Sequence, residues 1–103
     1  TISLPLVRAL AEGQAALLAL VHFDAHVDTW PDNFVQVYAH GSVFFHAIEE
    51  GLIDPKRTVQ IGIRSPMQRE VYDWPRDKGV TIISAQDVHE FGPQPVAQRV
   101  TEI

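Results

Sequence analysis

Asp24, His26 and Asp28 occupy alternate positions in the stretch Asp24-Ala25-His26-Val27-Asp28, directly after the apolar run Leu17-Leu18-Ala19-Leu20-Val21 and the pair His22-Phe23. In an extended chain a step of two returns to the same side, so at the end of a strand these three side chains can aim at one point. Two carboxylates in an apolar setting are costly without a cation. Metal binding is the chemistry that this spacing favours over a surface turn with acidic caps and one solvated histidine. Carboxylates with a single imidazole suit a hard to borderline ion such as Mn²⁺ or Mg²⁺, whereas zinc more often takes additional His or Cys. A carboxylate in such a cluster can also bridge two ions, roughly 3.5–4 Å apart, a pair that turns bound water into hydroxide near neutral pH.

His40-Gly41-Ser42 follows at a loop-to-helix junction. Spacing alone leaves two readings open for His40, an exposed loop histidine beside a capping serine or a mobile imidazole that passes a proton at the rim of the site. His22 is expected to face away from Asp24 as a hydrogen-bonded strand histidine, and His46 and His89 are assigned to structure or surface. Gly62, between Ile61 and Ile63, belongs to no phosphate-binding loop and is expected to allow a close approach at a strand end. No Ser-His-Asp elbow or Walker sequence is present.

Elements that could position these residues follow from periodicity and chain breakers. Thr1–Glu12 reads as a short helix, with Ser3 as N-cap, Pro5 in the first turn and Gly13 as its stop. Gln14–Phe23 is a near-continuous apolar run, the pattern of a strand buried on both faces in a parallel sheet. The cluster then lies beyond the carboxyl end of a strand, where open parallel sheets bind ligands. Thr29–Ala39 is a loop in which Val35 and Val37 could be briefly extended. Gly41–Glu50 reads as a helix capped by Ser42 and stopped by Gly51, with Phe45, Ala47 and Ile48 inward. Thr58–Ile63 is a second strand, and Ser65-Pro66 opens a third helix that Pro75 should end or kink at Trp74. Val80–Ile83 is a third strand, Ser84–Phe91 is irregular or one helical turn, and Pro95–Ile103 begins a last helix. The alternation predicts an α/β fold with a parallel sheet and crossover helices.

The chain has 103 residues, 46 % of them hydrophobic, and fits one small domain. Eight Lys and Arg against 13 Asp and Glu give a net charge of −5 without a basic run, which argues against nucleic acid as a partner. An acidic balance also fits a cationic small-molecule substrate. The absence of cysteine removes disulfides, thiolate metal sites and a cysteine nucleophile, and permits a cytoplasmic setting. No apolar run approaches the roughly 20 residues that span a bilayer, so no membrane is expected. The opening Thr1-Ile2-Ser3-Leu4-Pro5 has no initiator methionine and no leader pattern, and the chain reads as an internal piece of something longer.

Val21-His22-Phe23-Asp24-Ala25-His26-Val27-Asp28-Thr29, His40-Gly41-Ser42, Glu50-Gly51-Leu52-Ile53-Asp54-Pro55 and Val59-Gln60-Ile61-Gly62-Ile63-Arg64 together resemble the ureohydrolase (arginase/agmatinase) family, with the match nearest to bacterial agmatinases. The resemblance runs over nearly the whole chain. It implies a three-layer α/β/α fold and two Mn²⁺ ions whose bridging hydroxide attacks a guanidinium carbon, releasing urea and an amine, putrescine when the substrate is agmatine. By that match Asp24 and Asp28 ligate one ion, Asp24 bridges, His26 binds the other, and His40 is the histidine of proton transfer and substrate contact. The family's Gly-Gly-Asp-His would fall just before Thr1 and its Ser-x-Asp-x-Asp beyond Ile103. Residues 1–103 would then be a partial ureohydrolase domain with half of the ligands, not expected to turn over substrate by itself. His46 stands where relatives often have Arg and Ser42 where many have Thr, which leaves the choice among agmatine, guanidinobutyrate and other guanidino acids open. The family also implies a homo-oligomer. Two rivals are a non-catalytic binding remnant and a deacetylase-type hydrolase with one zinc, against which Asp28 and His40-Gly41 speak.

Overall fold

In the computed structural model, residues 2–30 and 40–103 are described, apart from the side chain of His40. The expected extended piece around Val35 and Val37 lies outside these residues. Chain order is α1 (Ser3–Ala11), β1 (Leu18–Phe23), a 3₁₀ turn (His40–Ser42), α2 (Val43–Glu49), β2 (Ile53–Ile63), α3 (Arg69–Lys78), β3 (Thr81–Ser84), α4 (Ala85–Phe91) and α5 (Pro93–Glu102). The strands form one parallel sheet in the order β1-β2-β3. The expected α/β alternation with parallel strands is therefore observed.

One face of the sheet is closed by α1 and α2. Leu4, Val43, Phe44, Ala47 and Ile53 pack there with Leu18 and Leu20. On the other face Val59, Ile61 and Ile83 meet Val88, Val96 and Val100 of α4 and α5. A third cluster joins Val27, Ile63 and Val71 with Met67 and Ile82 beneath α3. Helices on both faces make three layers, in which side chains at a strand step of two share a neighbour.

Several local expectations are corrected by contacts far apart in sequence. β1 begins at Leu18 rather than Gln14 and is not buried on both faces. Its burial alternates, leaving Val21 50 % and Phe23 74 % exposed. The reason is that α1 and α2 cover one face of β1, whereas on the other face Val21 and Phe23 border an open hollow with Val88, Val96 and Val100. β2 begins five residues earlier than Thr58 and contains Pro55. Leu18 pairs with Ile53 and Leu20 with Thr58, so Asp54–Arg57 bulge out opposite Ala19, where proline interrupts no ladder bond. Thr58 Oγ1 donates to the Asp54 carbonyl at 2.7 Å and Lys56 N to Asp54 Oδ1 at 2.9 Å, closing that bulge.

α3 starts at Arg69 rather than at Pro66 behind a Ser65 cap, and the amides of Arg64 and Ser65 both donate to the Ala25 carbonyl, at 3.0 and 3.1 Å, tying this stretch to the loop after β1. Pro75 lies inside α3 without ending it. The ring removes a single bond to the turn before, and the helix continues only to Lys78, where Gly79 with φ 111° closes it. Of the two expectations for this segment the helical one is met and exceeded, since Ala85–Phe91 is a seven-residue helix: Asp87 N donates to Ser84 Oγ at 3.0 Å while Ser84 N donates to Asp87 Oδ2 at 3.2 Å, a reciprocal cap. α2 is preceded by the 3₁₀ turn, and Ser42 stands at its N-cap position without a side-chain capping bond. At α1 the N-cap is Ile2 instead of Ser3. Gly51, with φ 71°, is the expected left-handed stop after α2.

Candidate metal centre

The cluster forms where β1 runs out. Asp24 N donates to the Ile61 carbonyl at 3.1 Å, extending the ladder one residue beyond Phe23. The chain then turns instead of remaining extended. Asp24 Oδ1 accepts from His26 N at 2.9 Å, a short polar side chain bonding the backbone two residues on. Val27, fully buried, anchors the turn in the Ile63–Val71 cluster. Asp28 has φ 53°, an uncommon left-handed conformation for a residue with a Cβ, and its carbonyl accepts from Phe44 N at 2.8 Å. Trp30 N donates to the Gly41 carbonyl at 3.0 Å, so the loop after β1 is laced to the start of α2.

Gly62 supports this turn from below. Ile61 pairs with Ile83 and Ile63 with Ser84, so β2 bulges by one residue at Gly62, whose φ is 93°. The bulge lets Ile63 join Val27 while Ile61 packs on the opposite face. A Cβ at residue 62 would stand 3.3 Å from the Asp24 carbonyl oxygen, which is the close approach anticipated for this glycine.

Asp24 and Asp28 converge, and His22 lies between them. His22 Nε2 is 3.4 Å from Asp24 Oδ2 and 3.7 Å from Asp28 Oδ2, and one donor atom from each of the three residues lies within 4.8 Å of the others. This corrects the expectation that His22 faces away: the step from 22 to 24 is two, and both side chains leave the strand on one side. His22 is a hydrogen-bonded strand histidine as expected, with Nδ1 3.3 Å from Gln60 Nε2 and its ring 4.5 Å from that of Phe44. Gln60, fully buried, also donates to the Val27 carbonyl. The spacing of Asp24, His26 and Asp28 does not point to Gln60, whereas the alternation of residues 22, 24, 26 and 28 carries the signal for His22.

His26 is displaced from that trio. Its side chain is 63 % exposed, with Nδ1 3.2 Å from Asp24 Oδ1, and it lines the rim of an open hollow of about 360 Å³ together with Asp24, Asp28, Trp30 and Gly41. The turn, by leaving the extended conformation, separates His26 from the point at which Asp24 and Asp28 meet. The His40 side chain lies outside the described part of the structure; its backbone starts the 3₁₀ turn adjoining Gly41 of the hollow. His46 and His89 do not line the hollow.

Electrostatics agree with a carboxylate site. Asp24 is held below the ordinary aspartate range, first by the His26 amide and then by the His26 side chain and His22, with burial acting the other way. His22 is lowered from its ordinary value, because burial outweighs the raising influence of Asp28 and Asp24. Two carboxylates at one point, with imidazole nitrogens beside them, are an oxygen-rich donor set that fits a hard to borderline divalent ion.

A parallel α/β sheet carrying Asp-Ala-His-x-Asp at the carboxyl end of a strand defines the class. The arginase-family profile matches residues 1–103, and the chain belongs to the arginase family. It is 45 % identical over 92 residues to the agmatinase of Chromobacterium violaceum, an alignment covering 88 % of this chain and 26 % of that protein. It is 42 % identical over 101 residues to the agmatinase of Photorhabdus laumondii, covering 98 % of this chain and 30 % of that protein. Among solved structures, proclavaminate amidino hydrolase from Streptomyces clavuligerus superposes with a TM-score of 0.86 at 40 % identity, over 98 % of this chain and 32 % of that one. The chain thus spans less than a third of the length of these relatives.

Proposed function

We propose that the protein containing this chain is a manganese-dependent ureohydrolase that hydrolyses a guanidino substrate to urea and an amine, with agmatine, giving putrescine, as first choice and 4-guanidinobutyrate or another guanidino acid as second. The observation that carries this reading is the convergence of Asp24 and Asp28 beyond the carboxyl end of β1 in an arginase-family chain. Agmatinase relatives support agmatine. The similarity to a proclavaminate amidino hydrolase supports amidino chemistry while leaving the substrate's tail open.

In this reading Asp24 and Asp28 would hold one divalent ion, and Asp24 with His26 would contribute to a second. The ions supply Lewis acidity and an activated water. The rest falls to the chain itself. The carboxylates receive the planar N–H edges of the guanidinium, which orients its electron-poor carbon. The leaving amine needs a proton, and we assign its delivery to His40, next to Gly41 at the hollow. Water and guanidinium in, urea and protonated amine out, balance the reaction. Residues 1–103 are a partial ureohydrolase domain in this account, and the remaining ligands come from polypeptide that this chain does not include. The working state is a homo-oligomer in the cytoplasm.

The test is urea release by the intact gene product with Mn²⁺ from agmatine, arginine and 4-guanidinobutyrate. Agmatine is expected to react fastest, and Asp24→Asn and His26→Ala to bring release to background. Urea from none of the three substrates, or undiminished turnover by both variants, refutes the reading.

A further inference from the structure

We propose that His22 is a positioning residue of this centre: an N–H donor to Asp24, not a metal ligand, that stands between the Asp24 and Asp28 carboxylates while Gln60 decides which of its ring nitrogens carries the proton. The inference rests on the reading that those carboxylates bind divalent ions.

Its starting point is the orientation of the Gln60 amide. Gln60 is wholly buried, and its Nε2 lies against the Val27 carbonyl. A carbonyl only accepts, so the amide nitrogen, with its two hydrogens, must be the atom facing it. The reverse orientation would oppose two acceptors. That choice leaves Gln60 Oε1 buried without a hydrogen-bond partner among the described residues, so the amide is oriented by Val27 and His22 at the expense of its own oxygen. The second hydrogen of Nε2 faces His22 Nδ1 at 3.3 Å.

A donor facing Nδ1 requires the lone pair of that nitrogen. In a neutral imidazole the proton is then on Nε2. Nε2 is the atom that stands 3.4 Å from Asp24 Oδ2 and 3.7 Å from Asp28 Oδ2, so its proton lies within hydrogen-bond reach of the first carboxylate and beside the charge of the second. A nitrogen bearing that proton has no lone pair to offer a metal. His22 therefore differs in role from its neighbours, although its donor atom sits as near to them as a ligand would. The Phe44 ring, tilted 59° at 4.5 Å, keeps the imidazole in place. Outer partners of this kind orient ligating groups, and their loss costs metal affinity by roughly 10- to 100-fold.

Two substitutions separate ring from donor. His22→Phe keeps a ring against Phe44 and removes the N–H, whereas His22→Gln places an amide donor where Nε2 stood. In manganese titrations of the intact gene product by calorimetry, His22→Phe is expected to bind about 10- to 100-fold more weakly with an unchanged number of ions, and His22→Gln to recover most of the affinity. Nitrogen-15 NMR of the metal-free wild type is expected to find the His22 proton on Nε2. A proton on Nδ1, equal affinity of His22→Phe and wild type, or the loss of a whole ion in His22→Phe each overturns the proposal, the last by making His22 a ligand. If His22→Phe does not fold, Gln60→Met, which removes the donor to Nδ1, must weaken manganese binding instead, and unchanged affinity overturns it equally. A wild type that takes up no manganese refutes the functional reading, and the tautomer then decides the hydrogen-bond arrangement by itself.

Discussion

Replacing Gly62 by alanine should damage the centre without touching any of its charged groups. The backbone at residue 62 has φ 93°, where an L-residue is strained by about 1–3 kcal/mol. The added methyl would also lie 3.3 Å from the Asp24 carbonyl oxygen, which must retreat by a few tenths of an ångström or push β2 away. Asp24 N is bonded to the Ile61 carbonyl, and Asp24 Oδ1 to the His26 amide, so a shift of this peptide moves the first carboxylate of the site. Gly13→Ala is the control: its φ is 79°, but nothing lies within 4 Å of the added carbon. Urea unfolding of the intact gene product should give a loss of about 1–3 kcal/mol for each variant, a fraction of the roughly 5–15 kcal/mol of a typical domain. Only Gly62→Ala should then weaken manganese binding in calorimetry. A stability change at Gly62 below about 0.5 kcal/mol, or equal manganese affinity of the two variants, would refute the claim that this bulge sets the position of Asp24.

Ser84→Ala removes one half of the reciprocal cap on α4 and should cost about 0.5–2 kcal/mol in denaturant unfolding. Ile53→Ala empties a site that is 2 % exposed beneath α1 and α2, and should cost about 2–5 kcal/mol by the same measurement. Glu50 is lowered from the ordinary glutamate range chiefly by its hydrogen bonds from Arg8, 2.8 and 2.7 Å long. Its depressed folded-state pKa means that its contribution is present above the unfolded pKa and is lost as pH falls through the folded one. The pair is largely exposed, so Arg8→Ala should cost roughly 0.2–1 kcal/mol at neutral pH and make the acid-side loss of stability shallower, as read from unfolding curves across that range.

The alternation of helices and strands was legible because each signal is local. Apolar runs bounded by Gly13, Gly51 and Gly79, and Pro93 near the last helix start, place most elements within a few residues. The cluster could be put at the end of β1 for the same reason, since residue types and a step of two need no distant partner. Boundaries failed where a distant partner intervened. The Ala25 carbonyl takes the amides of Arg64 and Ser65 and ties the stretch before α3 to the loop after β1, and the pairing of Leu18 with Ile53 lengthens β2 through a proline.

By itself, then, the sequence determined a parallel α/β chain with two carboxylates and an imidazole at a strand end, together with the family resemblance those motifs carry. Tertiary structure alone decided how the three are deployed. Asp24 and Asp28 meet because Val27 is buried under Ile63 and the Asp28 carbonyl is held by Phe44, while His26 is left at the rim. His22, which leaves β1 on the side of Asp24, meets Gln60, a partner 38 residues away. Periodicity reports which side of a strand a side chain leaves from, but where its atoms finish depends on hydrogen bonds and packing that only the folded chain brings together.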